Sequence, residues 1–360
     1  MRLKTGAVAG LAKVIEEDLM KRLQSQVDVR ALANLADCAA CALTTRSSNS
    51  GEWKAVLPRD CTDKSMEYWI SHVLSSALID HHVIMSGFIS EVAEMLSQSK
   101  KTVILMMDQS QIKDDLQCLM ISARFGERAI PILWKVVKTK GNIGFEEQEE
   151  LLNKVKAMIP PGVEVLLSAD RFYGTKSFVE WCQKAGWHYR VRLKGNLIFQ
   201  HEGGNITAAD VGKMDGSRVI GACFNGSDIS TNIGFLHEES HPEPWIIAMD
   251  CKPSKYRVLD YGMRWGIECL FSDFKSRGFA ITNTHLKHEK RIENLILILT
   301  IALYWAVSIG TTPKKQETFS EKKQFRSKKS HFKHGLRYIT NTLFYLSFSH
   351  TLWMFLKLTG

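Results

Sequence analysis

The sequence predicts an α/β chain: a mixed β-sheet flanked by helices, preceded by an all-helical segment and interrupted by a β-rich insertion. Three observations carry this reading. Two short runs end in an acid: TVILMMD at Thr102–Asp108, which is continuously apolar, and VEVLLSAD at Val163–Asp170, which is largely apolar. Runs of that kind read as strands buried on both faces. Helical periodicity follows each of them, at Phe145–Ile159 and Lys176–Ala185. Between Gly195 and Lys255 the texture changes: Gly203, Gly204, Gly212, Gly216, Gly221, Gly226 and Gly234 separate short β-like pieces.

Taken in order, the chain starts with apolar residues at helical spacing (Leu11, Val14, Ile15, Leu19, Leu23) and continues with a helical pattern from Val27 to Leu43. The polar cluster Ser47–Gly51 is expected to break it. Two more helices are expected at Tyr68–Ile79 and Val83–Leu96. After the first buried strand, Gln117–Phe125 and Arg128–Val137 fit a meander. The helix from Phe145 stops at Pro160-Pro161-Gly162, and the second buried strand follows. The Lys176 helix leads to a last strand in WHYRVRLKG, and the β-rich stretch ends in PWIIAMD, Pro244–Asp250. Three strands, helix, strand, helix, strand and a later helix is the element order of the ribonuclease-H-like fold. The expected division is a helical domain over 1–99, a catalytic domain over 100–310 with its insertion at 196–256, and a basic segment with terminal helices over 311–360.

Composition narrows the function classes. At 360 residues, 45% apolar and 24% charged, the chain reads as globular rather than disordered. Its formal net charge is +9, and Lys314–Arg337 holds nine Lys/Arg against two acids. A basic excess suggests a polyanion such as nucleic acid, although charge runs often end as solvated linkers. Eight scattered cysteines lack framework spacing and fit a reducing compartment. Cys38 and Cys41 form a lone CxxC, read as two small residues on a helix rather than a metal site. No signal peptide is evident, and the apolar run Leu295–Ile309 reads as a buried core helix too short to span a bilayer.

The chemistry gathers around YGMRWGIECLFSDFK, Tyr261–Lys275. At about 100° per residue, Tyr261, Arg264, Glu268 and Lys275 form one stripe, with Met263, Ile267, Leu270 and Phe274 opposite. An exposed Arg264–Glu268 pair alone would contribute only about 0.3–0.5 kcal/mol. Asp108 and Asp170 at strand ends, with Glu268 on the helix, make three hard carboxylates suited to Mg²⁺ or Mn²⁺. Two such ions clamp the attacking and leaving oxygens of a phosphodiester displacement. In HYRVRLKG, Arg190, Arg192 and Lys194 share a strand face with His188, fit either for a phosphate backbone or for guarding a solvent-facing edge. Trp245 opens the last β piece before the helix, placed for core packing or for stacking on a base.

The spacing Tyr-(2)-Arg-(3)-Glu-(6)-Lys, with DQSQI at Asp108 and DRFYG at Asp170, resembles the Asp-Asp-Glu transposases of bacterial insertion sequences, in the IS-four family. The resemblance covers about Thr102 to Ala306. It implies Asp108, Asp170 and Glu268 as catalytic ligands for two Mg²⁺ or Mn²⁺ ions. It further implies Arg264 and Lys275 as phosphate contacts, Tyr261 as a phosphate-orienting phenol, and Trp245 as holding a flipped base. The implied partners are terminal inverted repeats, target DNA and further copies of the chain, with no membrane, in the cytoplasm at the nucleoid. A metal-dependent nuclease of the same fold and a non-catalytic DNA-binding relative are the alternatives.

Overall fold

The computed structural model describes residues 6–23, 26–98, 102–125, 128–239, 242–311 and 330–345. They form two compact units, one from the described residues within 1–88, 112–116 and 271–360, the other from those within 89–111 and 117–270.

The first unit is helical: α1 (Ala7–Leu23), α2 (Val29–Thr45), α3 (Ser50–Lys54), α4 (Asp63–Leu74), the start of α5 (His81–Gln98), α10 (Glu289–Thr311) and α11 (His331–Tyr345). Asp28 caps α2 by accepting from the Ala31 N–H at 3.0 Å, which satisfies one of the donors a helix leaves open. The polar cluster Ser47–Gly51 follows the end of α2 at Thr45 and also starts α3, because the Asn49 side chain accepts from the Gly51 N–H. Small residues on α2 (Ala36, Cys38, Ala39, Cys41) are fully buried, and α2 packs against α1 and α10. Burial raises the Cys38 and Cys41 thiols above their ordinary pKa, so these are packing residues held away from thiolate chemistry. Helix α10 is 23 residues, longer than the apolar run suggested, and is long and apolar enough to cross a membrane by length and composition. Most of it is buried inside this unit, against α2 and α11. Of the basic stretch, residues 312–329 lie outside the described residues, as do 346–360 of the expected terminal helices.

Helices α10 and α11 cross at two glycines. A Cβ on Gly335 would fall on the Ala306 carbonyl, and one on Gly310 would fall on that of His331. Gly→Ala within an exposed helix stabilises by about 1 kcal/mol. Here overpacking reverses the sign, and Gly335→Ala is expected to destabilise by about 1–3 kcal/mol, read by thermal or urea melting.

Among the described residues, the second unit is a ten-stranded mixed sheet with helices. Its strands are β1 (Val103–Lys113), β2 (Leu116–Phe125), β3 (Arg128–Lys138), β4 (Val165–Ala169), β5 (His188–Arg192), β6 (Ile198–His201), β7 (Gly204–Thr207), β8 (Arg218–Phe224), β9 (Ser230–Leu236) and β10 (Trp245–Met249). The order across the sheet is β3-β2-β1-β4-β5-β10-β9-β8-β6-β7. β1, β4 and β5 run parallel, whereas β10 is antiparallel to both β5 and β9. Parallel neighbours need crossovers, supplied by α6 (Phe145–Met158) between β1–β3 and β4, and α7 (Lys176–Ala185) between β4 and β5. Thr175 caps α7 through the Phe178 N–H, and Gly186 ends it in the left-handed conformation. The β3-β2-β1-β4-β5 half is compatible with a ribonuclease-H-like domain, and β6–β9 prolong the sheet beyond β10.

The helix expected over Tyr261–Lys275 is not continuous. A short α8 (Lys255–Leu259) leads into a 3₁₀ turn, Asp260–Arg264, and only then α9, Trp265–Phe274. Tightening of a first turn is common at helix N-termini, and at three residues per turn positions i and i+3 eclipse. Tyr261 and Arg264 are therefore stacked rather than staggered. α9 comes close to the sheet at Gly266, where a Cβ would stand 3.3 Å from Met106 Sδ of β1.

Candidate active site

Parallel register does the first part of the assembly. β1 pairs with β4 from Val103↔Val165 to Met107↔Ala169. Asp108 and Asp170 are the next residue on each chain, so two carboxylates stand beside one another where the pairing ends. Asp170 follows its strand as expected. Asp108 does not end β1, which continues to Lys113 alongside β2.

α9 and its leading turn bring the remaining groups. The Arg264 guanidinium donates from Nη1 to Asp108 Oδ2 at 2.8 Å, from Nη2 to Glu268 Oε1 at 2.8 Å, and from Nε to the Tyr261 hydroxyl at 3.1 Å. That hydroxyl donates onward to Asp170 Oδ1 at 3.3 Å. Asp108 Oδ1 and Asp170 Oδ1 also accept from the N–H groups of Gln109 and Arg171, at 2.9 and 2.6 Å. Asp108, Asp170, Glu268, Tyr261 and Arg264 thus form one connected network. The Arg264–Glu268 pair that the spacing allowed is part of a larger, partly buried cluster: the side chains of Arg264 and Asp108 are only 11% and 15% exposed, and that of Glu268 is 41% exposed.

The electrostatics follow from burial. Desolvation pushes the Asp108 carboxyl up to about 6, against the pull of Arg264 and the Gln109 N–H, with Glu268 and Asp170 adding to the rise. Burial likewise pushes the Tyr261 phenol up to about 12, which keeps it a donor at neutral pH. Burial disfavours the Arg264 charge, but Tyr261, Asp108 and Asp170 raise its pKa above the ordinary value.

The other expected site residues fall into different settings. Lys275 follows the last residue of α9, belongs to the first unit, and accepts from the Ala280 N–H at 2.8 Å through its carbonyl. β5 is an interior strand between β4 and β10, so the solvent-facing edge strand allowed by the sequence is not what forms; along the face shared by the four basic residues His188 and Lys194 are exposed, Arg192 is partly exposed and Arg190 is buried. Arg190 is buried and donates to Asp250 Oδ1 (3.0 Å), the Tyr189 carbonyl (2.7 Å) and the Arg257 carbonyl (3.2 Å). Burial alone would raise Asp250; the His188 and Tyr189 N–H contacts and Arg190 hold it lowered instead. Arg192 is partly exposed and shares Glu243 with Arg171, at 3.0 and 2.9 Å. Lys194 lies over the Phe172 ring, 5.9 Å from its centre. Trp245 packs edge-on against Tyr261, ring centres 5.3 Å apart, so it buttresses the phenol of the network.

One neighbour escaped the sequence reading. Tyr173, in the DRFYG turn, is buried between Phe172 and Phe178, and its hydroxyl has no hydrogen-bond partner among the described residues. Burial, with Asp108 and Asp170 nearby, raises its phenol well above the usual value. Nothing in a tyrosine three residues past an acid announces this; only packing reveals it. A buried hydroxyl without a partner costs about 1–3 kcal/mol. Tyr173→Phe is therefore expected to hold or raise the melting temperature, and a marked fall would show a hydrogen bond that this packing lacks.

The chain matches the family model of the transposase DDE domain over residues 118–305, just over half its length. It belongs to that family. The matched stretch of this DDE transposase domain contains Asp170, Tyr261, Arg264, Glu268 and Lys275, whereas Asp108 lies ten residues before it. No curated protein matches the chain.

Three carboxylates are the donor chemistry of a hard divalent cation. As the side chains stand, however, among the described residues no three His, Cys, Asp or Glu groups close on a point that could hold a metal ion. The Arg264 guanidinium lies among the acids instead.

Proposed function

We propose that this DDE transposase is of the IS-four type. In this reading it binds the terminal inverted repeats of its own element, cleaves DNA there, and joins the freed 3′ ends to target DNA. Asp108, Asp170 and Glu268 are the catalytic acids and the ligands for two Mg²⁺ or Mn²⁺ ions, in keeping with the general dependence of the family on divalent metal. The metal would supply Lewis-acid stabilisation of the oxygens that gain charge. Arg264, Tyr261 and Lys275 of the Tyr-Arg-Glu-Lys signature are assigned to phosphate, with Arg192, Lys194 and Trp245 along the DNA path. Arg190 is better suited to holding β5 and Asp250 in place. The helical first hundred residues are assigned to DNA-end recognition, and two or more copies act on paired ends in the cytoplasm, at the nucleoid.

The observation that carries this reading is the single hydrogen-bonded network linking all three acids of a DDE-family chain. The test is a duplex bearing the element's terminal repeat, incubated with Mg²⁺ and a target plasmid. Cut ends covalently joined to the plasmid are expected. Cut ends without joined product would make the protein a nuclease of this fold, and retarded but uncut DNA a binding relative.

A further inference from the structure

We infer that Arg264 is the resident counter-cation of the acid cluster, and that it and a divalent metal ion compete for the same carboxylate oxygens. The inference rests on the proposed assignment of Asp108, Asp170 and Glu268 as metal ligands. All three nitrogens of the Arg264 guanidinium are engaged: two on the carboxylates of Asp108 and Glu268 and one on the Tyr261 hydroxyl. Both oxygens of Asp108 then accept a hydrogen bond, one from Arg264 and one from the Gln109 N–H, and the guanidinium stands on the side where Asp108 and Glu268 converge. A metal ion needs those oxygens facing it with their lone pairs free. One guanidinium also offsets only one of three carboxylate charges, so the cluster keeps a strong demand for further cation.

The geometry makes metal and phosphate binding interdependent through one side chain. Three of the five N–H donors of Arg264 are given to Asp108, Glu268 and Tyr261, so a phosphate that draws the guanidinium to itself loosens those contacts. A DNA phosphate that draws Arg264 away uncovers Asp108 and Glu268, and an ion that takes the acids releases Arg264 towards phosphate. Each ligand thereby favours the other, as linkage requires. Two simpler roles make different predictions. If Arg264 holds the acids in a metal-ready arrangement, removing it weakens metal binding. If it serves phosphate alone, metal binding without DNA is unaffected.

The experiment is Mn²⁺ binding to the full chain without DNA at pH 8, followed by the paramagnetic resonance signal of free Mn²⁺. Arg264→Gln is expected to bind Mn²⁺ more tightly than the unaltered protein, on the order of 5- to 150-fold, the usual range for coupled sites. Adding Asp108→Asn to that variant should remove the gain. Arg264→Lys, which cannot span two carboxylates, should fall between, and it decides the matter if melting curves show that Arg264→Gln does not fold. Unchanged or weaker Mn²⁺ affinity in the folded variants overturns the competition while leaving the acids as ligands. Mn²⁺ binding indifferent to Asp108→Asn in every background overturns the ligand assignment, and the competition with it.

Discussion

Asp108→Asn, Asp170→Asn and Glu268→Gln are each expected to lower terminal-repeat cleavage by at least about a hundredfold, the scale for losing one group aimed at charge that develops in the transition state. DNA binding should change little. Each amide keeps the shape of the acid and removes only its charge, and an acid is not a group that attracts phosphate. The three substitutions should also fail to compound, because groups that act as a unit lose most of their effect with the first removal. The measurements are single-turnover cleavage in Mg²⁺ and gel retardation of the same duplex. Near-normal cleavage by any one variant would remove that residue from the site. Lost cleavage with lost binding would point to misfolding, which the melting curve of each variant checks.

Asp108→Asn is expected to stabilise the metal-free protein while destroying its activity. The ordinary Asp value is 3.8, and burial raises the Asp108 carboxyl to about 6. Between those two values the folded protein holds a proton that the unfolded chain has released. Stability therefore falls as pH rises from about 4 to about 6, and remains lowered above it. A shift of about two units corresponds to about 3 kcal/mol at 1.36 kcal/mol per unit. In EDTA at pH 7.5, Asp108→Asn should melt several degrees higher than the unaltered protein, at roughly 2–4 °C per kcal/mol for a domain of this size. The difference should vanish towards pH 4. A variant that melts lower at pH 7.5 would mean that the ion pair with Arg264 outweighs the burial of the charge.

The sequence by itself determined the kind of structure and the kind of chemistry. Two short, largely apolar runs ending in acids read as buried strands, and Tyr261, Arg264 and Glu268 recur at a spacing that sets them on one side of a turn and helix. Such patterns are local: they follow from the backbone period and from which side chains avoid water. Boundaries such as those of α7 were legible for the same reason, since Thr175 and Gly186 mark its ends in the residue types themselves. The placement of charged groups against one another was left to tertiary structure. HYRVRLKG reads either as a basic face for phosphate or as a charge-guarded edge; pairing on both sides of β5 removes the edge, and contacts with Asp250 and the Arg257 carbonyl hold Arg190 buried. The break of Tyr261–Lys275 into a 3₁₀ turn and a shorter helix set Tyr261 directly under Arg264 and carried Lys275 past the helix end. Spacing offered Arg264 a partner four residues on, in Glu268. Its second carboxylate, Asp108, lies 156 residues away in the chain. Only the parallel register of β1 and β4, with α9 lying close across Gly266, could bring it there, because that distance is decided by packing and not by any local period.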